Sequence, residues 1–485
     1  MNLQYTGLRT QSRWIISIVI GLFALIMGMA AGALVVGIPN AMTLFVIVVG
    51  LFALLASVAR VEWGLLVLVF ITYTRFSDIA IAFHGAPSTA KSFIALLILA
   101  IFFRWVVYGE RPQGWQRPVT FLAAFGLIIF ASLLYAANPE RTQSAVEDFI
   151  KNAAIVIIIA ILLQRKQTFY YVIWTLLGAG MFMGSLSVFQ YFTSTFDVSY
   201  GGFAQSPMLH IIGERSGPRV AGPIGDPNFY AQIMLVMVPL ALDRLWSEKK
   251  RLMKLIALWA LVVCSLTIVL TFSRGAFLAM ALSIIALFIF RPPPATVILI
   301  SLALLLLVLP FIPSEYVSRM LTITDLFTDS GPTHSHDASF RGRTSELMVG
   351  WLMFVDHPIL GVGLDNYPAH YQEYSRRVGL DPRLEERAAH NLYIEYAAEL
   401  GLLGLAAFGL ILWGAFNSIS RAYRSFKIDG MKTEADMVIS FGVSLSGYLM
   451  AAMFISDAFP RFMWLLIGIS LSLLNVAKNE TGRVG

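Results

Sequence analysis

The sequence alternates between long apolar runs and shorter polar segments. A helix needs about 20 apolar residues to cross the ~30 Å hydrocarbon core of a bilayer, and such runs recur along most of the chain. The runs are continuous and lack the period-two alternation of a barrel strand, so we expect every span to be a helix. The predicted spans number about fourteen, with twelve as the alternative count because two runs are short, and they cover roughly 14–36, 41–58, 62–74, 90–107, 118–135, 148–163, 168–192, 228–243, 253–272, 275–290, 295–312, 391–417, 437–456 and 461–477.

This pattern predicts an all-α fold: a polytopic transmembrane helical bundle with one large outer loop that contains short helices. We divide the chain into N-terminal transmembrane helices (1–192), central transmembrane helices (193–312), the large loop (313–390) and C-terminal transmembrane helices (391–485). A stretch as long as this loop is usually functional. Inside this loop, we predict a short helix at Glu346–Val355 whose apolar side chains lie at the membrane interface.

Composition supports a lipid environment. Apolar residues make up 58% of the 485 residues, charged residues 13%, and the mean hydropathy is +0.74, which leaves too little polar surface for a soluble protein. The net charge of +6 comes from basic residues scattered through short loops, which argues against a nucleic-acid partner. We interpret the first run as an uncleaved anchor, Cys264 as a core residue, and Gly180 with Gly184 as a helix-packing pair.

Loop charges predict the orientation. If the N-terminus is inside, the inner loops hold 20 Lys and Arg against 8 Asp and Glu, whereas the outer loops hold 15 against 21. Short cytoplasmic loops carry the excess of Lys and Arg in membrane proteins. We therefore expect a multi-pass membrane protein with both termini in the cytoplasm and its functional residues on the outer face.

Two arginines are candidates for anion binding. Arg274 lies in a short turn between two apolar runs, where an unpaired charge is costly. Arg219 lies just before a span. Each has a structural alternative of similar weight: Arg274 could extend to lipid headgroups, and Arg219 could pair with Asp226 or Glu214. Arginine offers a planar fork that suits phosphate or carboxylate.

His390 is a candidate base. It lies where the large loop turns into a span, and the positive end of a helix dipole favours a neutral imidazole. Glu395 and Glu399 follow on the same helix and could orient the ring or contact water at the interface. The segment His334-Ser335-His336-Asp337 is a weak metal motif without a fixed fourth ligand, so we predict no metal site. We find no nucleotide-binding motif and predict no cofactor.

The order of these segments resembles the O-antigen ligase and O-antigen polymerase superfamily of bacterial inner-membrane glycosyltransferases. Three segments carry the resemblance. A fourth segment and one possible acidic residue also match. The three segments are Arg219-x-x-Gly222 with Pro227-Asn228, Arg274-x-x-x-Leu278, and His390-Asn391 followed after nine residues by Gly401-x-x-Gly404; the fourth is the Pro358-x-x-Gly361-x-Gly363 segment before Asp365, and the acidic residue is Asp457.

The resemblance implies transfer of a glycan from undecaprenyl diphosphate to an acceptor hydroxyl at the periplasmic face. Arg219 and Arg274 would bind the diphosphate in place of a metal ion, and His390 would act as general base in an inverting, metal-independent displacement. Asn391, Glu395 and Asp457 would support them.

The partners implied by the resemblance are the lipid-linked glycan donor, a glycan or lipid A–core acceptor, and the bilayer. We favour a ligase slightly over a polymerase of lipid-linked repeat units or a protein O-oligosaccharyltransferase. A small-anion or bicarbonate-like transporter is the alternative from another class. It is disfavoured because transporters usually place ionisable groups at the midplane. A scaffold without chemistry is the third reading.

Overall fold

The computed structural model describes residues 60–86, 88–207, 218–293, 338–380, 385–455 and 461–482. Three predicted spans (14–36, 41–58 and 295–312), the His334–Asp337 segment and Asp457 lie outside these residues. In the described part, the regular elements are helices, and the only pairing of extended backbone is an isolated bridge between Gln205 and Gly222. The predicted all-α fold is therefore confirmed for the described residues.

We number the described α-helices in chain order. Their bounds are α1 Val61–Tyr73, α2 Phe76–His84, α3 Thr89–Tyr108, α4 Gln116–Ser132, α5 Pro139–Leu162, α6 Lys166–Phe192, α7 Pro227–Leu235, α8 Met237–Ser247, α9 Arg251–Leu270, α10 Arg274–Phe290, α11 Ala338–Asp356, α12 Tyr367–Val378, α13 Leu392–Ile428, α14 Lys432–Ala451 and α15 Arg461–Thr481. Short 3-10 turns occupy Tyr200–Gly202 and Ala452–Phe454.

Seven helical segments of the described part are long and apolar enough to cross a membrane, counting α7 and α8 as one. The number rises to eight if α1 and α2, which meet at a 53° bend, form one broken span. The bend occurs where Arg75 adopts a left-handed backbone conformation (φ 52°). The predicted count of fourteen is thus not confirmed, although each predicted span within the described ranges corresponds to a helix.

Aromatic side chains fill the centre of the bundle, where α15 packs against α5 and α13. Phe125 contacts four other rings at centroid distances of 5.7–6.2 Å, those of Phe149, Tyr396, Phe408 and Trp464. Such tilted and edge-on pairs add to the stabilisation from burial.

Small residues let the helices approach closely. A Cβ on Gly180 would lie 2.7 Å from Met237 and 3.0 Å from the buried Cys264, and Gly184 packs in the same way against Met234 and Val263. The predicted packing role of this glycine pair and the core position of the cysteine are both confirmed.

One end of the bundle contains a buried ion network. Arg244 is 1% exposed and Asp243 is fully buried, and Arg244 Nη2 lies 2.5 Å from Asp243 Oδ2. Arg291 at the end of α10 also contacts Asp243 and places its Nε 3.4 Å from Asp436 Oδ2 on α14. Glu248 accepts from Arg244 at 3.3 Å. These contacts tie α8, α10 and α14 together at the end that loop charges predict to be cytoplasmic.

Candidate functional site

Arg219 lies in the loop before α7 and is 7% exposed. Its Nε donates to the backbone carbonyl of Thr271 at 2.7 Å, and its Nη2 donates to Asn228 Oδ1 at 3.3 Å. Of the two acids considered as partners, Asp226 instead caps α7 by accepting from Phe229 N at 2.8 Å, and Glu214 lies outside the described residues. The buried guanidinium therefore joins its own loop to the end of α9.

The sequence around Arg219 folds this way for steric reasons. Gly222 has a φ of 52°, and a Cβ there would lie 2.4 Å from the ring of Tyr230, so only glycine fits. Asp226 is the N-cap of α7 and Pro227 its first residue, the position where proline is best tolerated. Asn228 then points at Arg219. The Arg-x-x-Gly…Pro-Asn segment is thus one structural unit.

Arg274 is the first residue of α10 and is partly buried. The chain between α9 and α10 contains only Thr271, Phe272 and Ser273, and Phe272 has a left-handed φ of 55°. The Arg219 guanidinium bonds to the carbonyl of Thr271, and Thr271 precedes Arg274 by three residues in the turn between α9 and α10. The structure therefore brings the two arginine segments together.

His390 precedes α13 and has a left-handed φ of 48°. Asn391 is the N-cap, and its Oδ1 accepts from Tyr393 N and Ile394 N at 3.0 and 3.1 Å. Its Nδ2 donates to the carbonyl of Met453 at 3.0 Å. The predicted position of His390 at a helix N-terminus is confirmed.

The turn at Ala452–Phe454 connects the histidine segment to the arginine segments. Asn391 bonds to the Met453 carbonyl, and a Cβ on Gly275 would lie 2.7 Å from the Phe454 ring. Gly275 therefore packs against the same turn that Asn391 holds. The neighbours of Arg219, Arg274 and His390 thus form a continuous set of contacts at one end of the bundle, where α9 and α14 end and α10 and α13 begin.

Two glycine motifs dock on each other next to this site. Gly401 breaks α13 with φ 62° and ψ −160°, a conformation essentially restricted to glycine. The break leaves orphan backbone groups, and the Pro358-x-x-Gly361-x-Gly363 segment satisfies them. The bonds are Val362 N to Ala398 O (2.9 Å), Gly363 N to Glu399 O (2.9 Å), Leu402 N to Pro358 O (2.8 Å) and Leu403 N to Ile359 O (3.3 Å). Both Gly361 and Gly401 lie so close to the opposing backbone that a Cβ would approach it to 2.3–2.4 Å.

The role considered for Glu399 is corrected by the structure. Glu399 is 1% exposed, and its carboxylate accepts from Asp365 N at 2.9 Å and Tyr367 N at 3.0 Å. It therefore fixes the loop before α12, and neither orients the His390 ring nor contacts water. Glu395 is half-buried on the first turn of α13.

A carboxylate that the sequence reasoning missed lies at His390 instead. Glu346 on α11 is 1% exposed, and its Oε2 is 3.0 Å from His390 Nδ1. Arg387 Nη1 donates to its other oxygen at 3.1 Å. The Tyr367 hydroxyl donates to the Glu346 backbone carbonyl at 2.6 Å, and burial together with the Glu346 charge raises the pKa of Tyr367, which keeps this hydroxyl neutral. No sequence motif marks Glu346.

Residues 259–409 match the family model described as O-antigen ligase. The match spans Arg274, His390 and both glycine motifs, whereas Arg219 lies outside it. The predicted resemblance to the O-antigen ligase and polymerase superfamily is confirmed, and nothing in the match supports a transporter. A search of the curated proteins found no match to the chain.

Proposed function

We propose that this protein is a membrane glycosyltransferase of the O-antigen ligase type. It would move a glycan from undecaprenyl diphosphate to an acceptor hydroxyl at the periplasmic face of the inner membrane. The proposal rests on the convergence of the Arg219, Arg274 and His390 segments at the end of the bundle that holds the Ala452–Phe454 turn, and two of these segments lie within the residues that match the O-antigen ligase model.

The two arginines would stabilise the diphosphate leaving group. Undecaprenyl diphosphate already leaves readily, so catalysis depends mainly on neutralising its charge in a partly desolvated site. Arg219 is held by Thr271 and Asn228, which preorganises its guanidinium. Arg274 adds a second cation at the N-terminus of α10, where the helix dipole also favours an anion. This pair takes the place of a metal ion in the proposed mechanism.

His390 would remove the proton from the attacking hydroxyl. The oxygen then forms a bond to the anomeric carbon as the bond to the diphosphate breaks, so a single displacement inverts the configuration. General-base catalysis of this kind typically contributes on the order of 10²–10⁴-fold. Asn391 supports the base by capping α13 and fixing the start of the helix.

A reconstituted transfer assay tests the proposal. The full-length protein in liposomes is supplied with an undecaprenyl-diphosphate-linked glycan and a lipid A–core acceptor, and the glycosylated acceptor is measured. Arg219→Ala, Arg274→Ala and His390→Ala should each abolish transfer while the protein stays in the membrane. Wild-type rates in His390→Ala would remove the assigned base, and glycan-independent uptake of a small anion would favour a transporter instead.

Gene deletion separates the possible acceptors. Loss of every long chain on the lipid A–core, seen by gel electrophoresis of surface glycans, is the expected result for a ligase. Single repeat units that remain on the core would indicate a polymerase. Unchanged lipopolysaccharide with loss of protein-linked glycan would indicate a protein O-oligosaccharyltransferase.

A further inference from the structure

We propose that Glu346 is a positioning residue that holds the His390 imidazole in the tautomer with its proton on Nδ1. This inference rests on the proposed function and adds a residue to it. The carboxylate of Glu346 belongs to α11, 44 residues before His390 in the chain, so only the tertiary structure brings the two together.

The surroundings of Nδ1 determine the tautomer. The backbone carbonyl of Ala388 accepts a hydrogen bond from Nδ1 at 3.1 Å, and Glu346 Oε2 lies 3.0 Å from the same atom as a charge contact without hydrogen-bond geometry. A carboxylate and a carbonyl only accept hydrogen bonds, so the nitrogen between them carries the proton. The neutral ring then has its lone pair on Nε2. Nε2 is therefore the atom that would receive the proton of the acceptor hydroxyl.

Packing fixes Glu346 relative to the ring. A Cβ on Gly350 would lie 2.4 Å from Ile394, so α11 lies directly against the first turn of α13. The Tyr367 hydroxyl holds the backbone of Glu346 at 2.6 Å. The carboxylate, itself 1% exposed, thus approaches His390 from a helix that packs against α13, and packing of this kind is the usual requirement for a residue that orients a base.

Arg387 fixes which carboxylate oxygen of Glu346 faces His390. Its guanidinium can only donate, and it occupies Glu346 Oε1 at 3.1 Å. In Glu346→Gln the amide has one oxygen, which Arg387 would take. The amide NH₂ would then face Nδ1 and the carboxylate charge would be lost, and we expect this to outweigh the neutral Ala388 carbonyl and to favour the opposite tautomer, with the proton on Nε2. The base would be blocked without a change in side-chain size.

Glu346→Gln should lower kcat for glycan transfer on the order of 10²-fold, with the KM for the lipid-linked donor unchanged. Adding Arg387→Ala should raise kcat again, at least several-fold, because the amide is then free to turn its oxygen toward Nδ1. A purely structural role for the Glu346–Arg387 pair predicts the opposite, since the second substitution would add to the damage.

Asp356→Asn is the matched control. Asp356 lies on the same helix and pairs with Arg377 at 2.5 Å, as Glu346 pairs with Arg387, but contacts in the described structure do not link it to His390. This variant should transfer glycan at the wild-type rate. Wild-type kcat in Glu346→Gln, or lower activity in the double variant than in Glu346→Gln alone, would overturn the positioning role.

Nitrogen-15 NMR provides a readout that does not depend on activity. In histidine-labelled protein, the His390 signals are identified by their absence from His390→Gln. Wild-type protein should show the proton on Nδ1 and Glu346→Gln the proton on Nε2; the same tautomer in both would refute the inference. A failure of the proposed function is distinguishable, because wild-type protein would then transfer no glycan whatever the tautomer.

Discussion

The contact between the two glycine motifs predicts that Gly401→Ala weakens the docking of the Pro358–Gly363 loop on α13. Gly401 lies eleven residues after His390 on α13 and does not contact it in the described structure. The backbone conformation of Gly401 allows the loop at Pro358–Gly363 to pack against α13 at the point where the helix is broken. The substitution adds one methyl group, so any large effect must come from the backbone and from the close approach.

The magnitude follows from two contributions. Holding a non-glycine residue at φ 62° and ψ −160° costs about 1–3 kcal/mol. The added Cβ would lie 2.4 Å from the Ile359 carbonyl, so the loop must move. Four backbone hydrogen bonds depend on its position, each with a net contribution of about 0.5–1.5 kcal/mol. We expect docking of the loop to weaken by at least roughly 3 kcal/mol, or about 10²-fold in the opening equilibrium.

Amide hydrogen exchange measures this opening directly. Peptides containing Val362, Gly363, Leu402 and Leu403 should exchange about 10² times faster in Gly401→Ala, and the transfer rate should fall with the loss of protection. Gly409→Ala is the matched control on the same helix, since a Cβ there meets no atom within 4 Å. Gly409→Ala should leave exchange at the loop unchanged. Wild-type protection in Gly401→Ala would refute the assigned role of the glycine pair.

Two further predictions concern buried polar groups. Arg244→Met should lower the free energy of unfolding in detergent by about 3 kcal/mol, because it leaves the Asp243 carboxylate buried without its main cationic partner. The double variant Arg244→Met with Asp243→Leu should recover much of this loss. Equal stability of the single and double variants would contradict this prediction. Asn391→Ala should cost about 1 kcal/mol and reduce kcat, whereas Asn391→Ser keeps a capping oxygen and should retain most of the stability by thermal shift. If Asn391→Ser is as unstable as Asn391→Ala, the bond to Met453 dominates over the cap.

The bundle itself could be predicted from local pattern. Each predicted span inside the described ranges corresponds to a helix, because a bilayer requires every backbone group to be bonded within its own segment. The bend at Arg75 and the break at Gly401 were not predicted. Both depend on the backbone conformation of single residues, which an apolar run does not report.

The candidate site was predicted in part. The motifs around Arg219, Arg274 and His390 could be recognised because each depends on residues close in the chain, such as Gly222 beneath Tyr230 and Asn391 capping α13. Their partners could not. Arg219 bonds to Thr271, 52 residues away, and no local motif marks this partner.

The sequence by itself determined the membrane-spanning helical architecture, the order of the motifs and the residue types available for chemistry, since apolar length, loop charge and short motifs are properties of neighbouring positions. Only the tertiary structure decided which acid lies at His390. Glu399, four residues beyond Glu395 on the same helix, accepts hydrogen bonds from the loop before α12. Glu346 from α11 lies beside Nδ1 of His390. The physical reason is that the role of a buried carboxylate depends on the hydrogen-bond donors and charges that surround it. Helix packing supplies these groups, and it brings residues together irrespective of their separation along the chain.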